Sequence, residues 1–282
     1  MLIKQIIIYI FAITLLAITL LTSSLYSKHI NWEKLEKGLH WKTIISKIDN
    51  ETVNINILKI NPNFFSFHLF MASQRKHPPL SLKKWAKKYK LLIAVNASMY
   101  LPDGLKSTGY MKNYQYFNNS TINKKFGSFI VFNPKKYRKK KHFKKKRDIS
   151  IIDKSIYNWK KKLNNYHTII QNYRIIVSNN KIVWKKGKKK SSIITFCTDK
   201  NDNILIVFCK DKVSTFSFAK KTLTLSLKIR NMTYLEGGHE ASLCILHENL
   251  KINTYGKLFS NKSIRLHFEN KLPNIIGIRK KQ

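Results

Sequence analysis

Acid is scarce in this chain: 14 Asp and Glu against 54 Lys and Arg. A place where two carboxylates flank paired glycines therefore stands out. Glu236-Gly237-Gly238-His239-Glu240 is that place. Glycines let the backbone turn tightly and approach a ligand, and they leave amide N–H groups free for an anion. A carboxylate held beside such a turn suits glycoside chemistry, in which it stabilises, attacks or hydrates an oxocarbenium-like centre. A plain turn with an exposed Glu has the same signature. Two further spots carry polar groups at the ends of apolar runs. Asn96-Ala97-Ser98-Met99-Tyr100 closes the run from Leu91, and its amide and hydroxyls suit sugar and phosphate oxygens. Gln171-Asn172-Tyr173-Arg174 interrupts another, and the Arg174 guanidinium could grip an oxyanion bidentately. A strand-terminal turn and a surface hairpin are the plainer readings of these two.

The elements that must position these groups are mostly strands. Glu51 to Ile60 and Phe64 to Ala72 read as a pair about the turn Asn61-Pro62-Asn63. Ser81 is placed to cap a helix over Leu82 to Tyr89. Leu91 to Asn96 is a strand buried on both faces. The stretch Ala97 to Lys125 reads as irregular, and Phe126 to Phe132 as a strand. A short helix follows over Ile156 to Leu163. Thr168 to Val177 and Lys181 to Trp184 read as a hairpin. Ser192 to Thr198 and Ile204 to Cys209 are strands, and Ser214 to Leu225 is a helix. Met232 to Leu235 and Ala241 to His247 flank the glycine pair, and Pro273 to Arg279 is the last strand. Many strands with few helices predict an α+β single domain, a large mixed and mostly antiparallel sheet flanked by a few helices.

Residues Ile6 to Leu21 carry no charge and follow Lys4, the pattern of an export signal or anchor. The expected organisation is a signal peptide or N-terminal membrane anchor over 1–27 and one domain over 28–282. The working part is then exported, lying in the periplasm or on the inner membrane facing the periplasm. The formal net charge of +40 points to an anionic partner. An AT-rich coding sequence, crowding Lys with Ile and Asn, produces the same excess. Export removes nucleic acid from the candidate partners. Two basic runs, Lys135 to Arg147 and Lys185 to Lys190, read as solvated loops. Cys197, Cys209 and Cys244 sit in apolar stretches and read as core residues, with a Cys197–Cys209 bridge as the one disulfide worth considering. No histidine spacing suggests a metal site, so no cofactor is expected, and a role for a divalent cation stays open. Serine-hydrolase, Walker and dinucleotide motifs are absent from the sequence.

The polar spots recur in an order. N-A-S-M-Y (Asn96 to Tyr100) is followed by S-T-G-Y (Ser107 to Tyr110), Asn118-Asn119, F-G-S-F (Phe126 to Phe129), I-Q-N-Y-R (Ile170 to Arg174), Y-L-E-G-G (Tyr234 to Gly238) and L-P-N-I-I-G-I (Leu272 to Ile278). That series resembles the phosphodiester glycosidase (NAGPA-like) family over residues 50 to 280. The resemblance implies hydrolysis of a sugar–phosphate phosphodiester at the anomeric carbon, with a sugar-phosphodiester or other anionic glycan as substrate. It implies catalytic roles for Glu236 and Asn96, with Glu236 as nucleophile, base or charge stabiliser. It implies substrate contacts from Gly237, Gly238, His239, Glu240, Ser98, Tyr100, Gly109, Asn118, Gln171, Asn172 and Arg174. Two positions depart from the family: Glu236 stands where Asp is usual, and Asn-Ala-Ser replaces Asn-Gly-Gly. The competing function is a non-catalytic envelope protein that binds anionic glycan or lipid headgroups through its basic loops.

Overall fold

The computed structural model describes residues 30–135, 147–257 and 270–282. The N-terminal apolar run and nearly all of the Lys135 to Arg147 basic run lie outside these residues. Among the described residues, no helix is long and apolar enough to cross a membrane.

Three principal sheets, all of antiparallel pairs, build the unit Trp32–Gln282. The first has eight strands in the order Glu33–Glu36, Leu39–Ile48, Glu51–Ile60, Ile204–Ser214, Lys190–Asp199, Ile229–Gly237, Arg174–Val177 and Lys181–Ile182. The second has five: Ile149–Asp153, Ser128–Pro134, Tyr166–Asn172, Met111–Asn113 and Tyr116–Asn119. The third also has five: Leu250–Tyr255, Ser242–His247, Ile93–Asn96, Asn274–Lys280 and Phe65–Met71. The α+β, mainly antiparallel class expected from the sequence is the one observed, with the strands divided among sheets.

The division follows from the alternation of side chains along each strand. In the third sheet, Phe65, Phe67, Leu69, Ile93, Val95 and Leu243 point into one large core. They meet Ile130, Phe132 and Ile170 of the second sheet and Leu58, Phe196 and Phe208 of the first. The opposite face of the third sheet, Phe70, Ala94, Cys244 and Ile275, is covered by the helix Leu82–Lys88 through Leu82, Trp85 and Ala86. Trp85 is fully buried, and its indole N–H donates to the Leu272 carbonyl at 2.8 Å. The helix Trp159–Leu163 covers Phe129, Val131 and Ile152 of the second sheet in the same way. Each fully buried aromatic or aliphatic side chain contributes about 1.5–3 kcal/mol. The strand ends are therefore held in place by packing on both faces.

Several expectations are corrected. Thr168 to Val177 is not one strand. Asn172 pairs with Ser128 in the second sheet, whereas Arg174 pairs with Thr233 in the first. The chain changes sheet at Tyr173, whose carbonyl accepts from Tyr234 N and Thr233 Oγ1. The stretch after Ala97 contains a hairpin, Met111–Asn113 with Tyr116–Asn119, turning through Tyr114 at φ 53°. Ser81 has the extended backbone of an N-cap but makes no capping hydrogen bond, and its buried hydroxyl has no partner among the described residues. The three cysteines are free. Cys197 lies opposite Leu205 and Cys209 opposite Ile193, so the register keeps the two thiols apart.

Candidate functional site

Strand ends from all three sheets supply the site. Asn96 ends the strand Ile93–Asn96 and is 1% exposed. Its Oδ1 accepts from Ser242 N at 2.8 Å and its Nδ2 donates to the Glu240 carbonyl at 2.9 Å. One side chain thereby fastens this strand end to the glycine turn 144 residues away. The next residue, Ala97, donates its N–H to Asn274 O and accepts from Asn172 Nδ2 at 2.9 Å. Asn172 is the last residue of its strand in the second sheet. The polar stretches singled out in the sequence therefore converge.

The strand carrying Glu236 bends just before it. Ile194 lies opposite Glu236 and Thr195 opposite Tyr234, so Leu235 is an extra residue in the ladder, and such bulges re-aim the side chains that follow. Gly238 then opens the 3-10 turn Gly238–Glu240 at φ 67°, a left-handed conformation that glycine adopts without steric cost. Gly237 is extended, but a Cβ there would collide with the Tyr234 hydroxyl, so its lack of a side chain makes room for that ring.

Glu236 is 5% exposed. Its Oε1 accepts from the Gly237 N–H at 2.9 Å, and its Oε2 has no partner among the described residues. Burial, opposed by that N–H and reinforced by Glu240, pushes its carboxyl up to about 8. Glu240 is more open, its side chain 32% exposed, and its charge lies close to the Tyr100 phenol. The Tyr100 phenol is pushed far up by burial and then by the Glu240 charge, with a smaller effect of Glu236. Tyr234 is raised by burial and then by Glu236. Two glutamates and two tyrosines thus share one electrostatic neighbourhood. His239 Nε2 lies 3.9 Å from Glu240 Oε1, and its carbonyl accepts from Asn270 Nδ2.

The remaining residues named from the sequence divide into those that brace the loop after Asn96 and one tied elsewhere. Ser98 Oγ donates to Met99 O and contacts Ser107 Oγ at 2.8 Å. Asn118 accepts from Ser107 N and donates to Ser73 Oγ and Leu105 O. Gly109 packs so closely on Gln171 O and the Phe126 ring that a Cβ would clash. Gln171 is fully buried, and its amide serves four backbone groups: Tyr110 N, Asn123 N, Asn123 O and Phe126 O. Arg174 donates to Asp153 at 2.8 Å and lies over Gly127. Three neighbours of the site were not singled out from the sequence as site residues. Tyr234 is one. Trp184, stacked on Tyr234 with ring centroids 5.4 Å apart, is another. Asn274, whose buried Oδ1 has no partner among the described residues and whose carbonyl accepts from Ala97 N, is the third. The first stands two residues before Glu236 and the last sits in the P-N motif, so both were within reach of a motif reading. Among the described residues, no three His, Cys, Asp or Glu side chains gather as a metal ligand set.

The arrangement offers buried acceptor oxygens on Asn172 and Asn274 and a protonated carboxyl on Glu236, beside a solvent-reaching carboxylate close to a phenol. Buried acceptors without donors suit a ligand that brings hydroxyl groups. No family model matches the sequence, and no curated protein does. Solved structures do match. A hypothetical protein from Synechocystis has a TM-score of 0.60 at 13% identity over 90% of this chain and 64% of that one, so the chain spans less than two thirds of it. The catalytic domain of zebrafish N-acetylglucosamine-1-phosphodiester alpha-N-acetylglucosaminidase (NAGPA), auto-inhibited by its pro-peptide, has a TM-score of 0.64 at 14% identity. That match covers 90% of this chain and 86% of the zebrafish domain, and at such identity it establishes a shared fold: this chain is folded like a phosphodiester glycosidase catalytic domain.

Proposed function

We propose that the protein is a hydrolase that cleaves the bond between the anomeric carbon of a sugar and a phosphodiester phosphate. The observation that carries this reading is the convergence of Glu236, Glu240, Asn96 and Tyr100 at one set of strand ends in a glycosidase-like fold. Two carboxyls in unlike surroundings are what acid-assisted glycoside cleavage uses. Glu236, protonated up to about pH 8, serves as a proton donor, a role different from the nucleophile, base or charge stabiliser implied by the resemblance. Glu240, close to Tyr100, faces the positive charge that develops at the anomeric carbon. Water adds to that carbon, the electron pair of the broken C–O bond leaves on the phosphate oxygen, which takes the Glu236 proton, and the proton shed by the added water restores Glu236. A phosphate is already a good leaving group, so one weak acid suffices. The unpartnered oxygens of Asn172 and Asn274 are assigned to sugar hydroxyls. The N-terminal apolar run supports placing this reaction outside the inner membrane.

The test is release of free sugar from the methyl phosphodiester of N-acetylglucosamine 1-phosphate. Glu236→Gln is expected to lower kcat by about 100-fold or more, the usual worth of a positioned proton donor. Turnover equal to wild type in that variant would remove the assignment.

A further inference from the structure

Beside the candidate site lies a cavity of about 170 Å³ bounded by Trp184, Lys185, Lys189, Ser191, Phe216 and Tyr234. Its inner wall is Tyr234, the ring that packs on Gly237 and feels the Glu236 charge. Its aromatic side is continuous: Trp184 stacks on Tyr234 with planes 23° apart, and Tyr173 meets Trp184 edge-on at 5.4 Å. Its cationic side is Lys185 and Lys189, neither of which has an acidic partner among the described residues. The adjoining Lys190 is taken by Glu51 at 2.9 Å. Unpaired lysines alone distinguish nothing in a chain of charge +40. These two differ in lining a concavity, with an aromatic face, that shares a wall with the buried acid.

The chemistry of the two regions is complementary. Around Glu236 the free groups are the amide oxygens of Asn172 and Asn274 and the neutral, protonated Glu236 carboxyl, which suit a neutral polyol and offer no cation to an anion. The neighbouring cavity offers ammonium groups and flat apolar rings, which suit a phosphate carrying an organic substituent. Given the sugar–phosphate cleavage proposed above, on which this assignment rests, we infer that the Trp184–Lys185–Lys189–Tyr234 cavity is the subsite for the phosphate and its organic substituent. The sugar ring lies toward Glu236, Asn172 and Asn274. Nothing in the basic run 135–147 is needed for it.

Phenyl phosphate, a monoester with a flat substituent, is the probe, titrated by calorimetry into the full chain. One saturable site is expected. Kd should rise at least 10-fold in the Lys185→Ala/Lys189→Ala double variant and by a similar factor in Trp184→Ala. It should stay unchanged in a control pair on an exposed helix face, Lys83→Ala/Lys84→Ala. An unchanged Kd in the double variant overturns the subsite, and so does an equal loss in the control pair, which would show binding by bulk charge. Thermal melts matching wild type exclude misfolding, and Trp184→Phe, keeping a flat ring, should restore most of the affinity lost in Trp184→Ala. On the methyl phosphodiester, the double variant should raise KM with kcat retained. The two proposals fail separately. Binding lost in the double variant without turnover by wild type keeps the subsite and removes the hydrolase. Turnover lost in Glu236→Gln with binding untouched by the double variant does the reverse.

Discussion

Glu236 makes the stability of this protein depend on pH in a direction opposite to that of an ion-paired carboxylate. In the folded chain the carboxyl holds its proton up to about pH 8, whereas a free Glu releases it near 4.5. Between those values the unfolded chain binds fewer protons than the folded one, so stability falls as pH rises. At 1.36 kcal/mol per pH unit, the loss accumulates to about 5 kcal/mol by pH 8 and then levels off. That is a large share of the ~5–15 kcal/mol available to a domain. Glu236→Gln removes the titration while keeping an oxygen for the Gly237 N–H. The variant should match wild type near pH 4.5 and exceed it by about 3 kcal/mol near pH 6.5 and about 5 kcal/mol at pH 8. Any fixed offset from its new amide leaves that slope untouched. The field of the +40 charge is common to both proteins and cancels in the difference. Urea unfolding followed by tryptophan fluorescence from pH 5 to 9 measures the curves. If they run parallel, or wild type gains on the variant as pH rises, the carboxyl is not buried and protonated as described.

Asn96→Ala strips the Ser242 N–H and the Glu240 carbonyl of their buried partner and should cost about 2–5 kcal/mol in urea unfolding; a loss below about 1 kcal/mol would show that the strand end is not fastened there. Gly238→Ala forces a side chain to φ 67° and should cost about 1–2 kcal/mol. Gly187→Ala, where a Cβ meets nothing within 4 Å, should stay within about 0.5 kcal/mol by the same measurement.

Much of the fold could be read from the sequence where alternation is strong. Glu51–Ile60 forms the strand predicted, and Phe65–Met71 and Ile93–Asn96 fall inside theirs. Leu39–Ile48 was not foreseen because its alternation decays: Leu39 and Trp41 are buried, but Ile45 is 74% exposed. The hairpin of Met111–Asn113 and Tyr116–Asn119 is short and polar, and its turn uses Tyr114 in the left-handed region with no glycine to announce it. The switch of sheets at Tyr173 has no local marker either. It is set by which neighbours take the ladder bonds on each side, Ser128 before it and Thr233 after it.

The site was legible as residue types and not as an arrangement, and one physical cause accounts for both. Asn96, Asn172 and Gly237 are each the last residue of a strand, and each strand belongs to a different sheet. At a strand end the ladder stops, and the backbone groups beyond it must find partners in side chains. Asn supplies both a donor and an acceptor, and here it serves Ser242 N, Glu240 O and Ala97 O. The polar interruptions visible in the sequence are therefore the places where the sheets are stitched together. Stitching leaves acceptors over, on Asn172 and Asn274, and holds a carboxyl dry at Glu236. Replacing Asn172 by Leu would lengthen an apolar run and satisfy every sequence rule for a strand. It would also free the Ala97 carbonyl and delete one of the two leftover acceptors, so the site would fail while the strand survived.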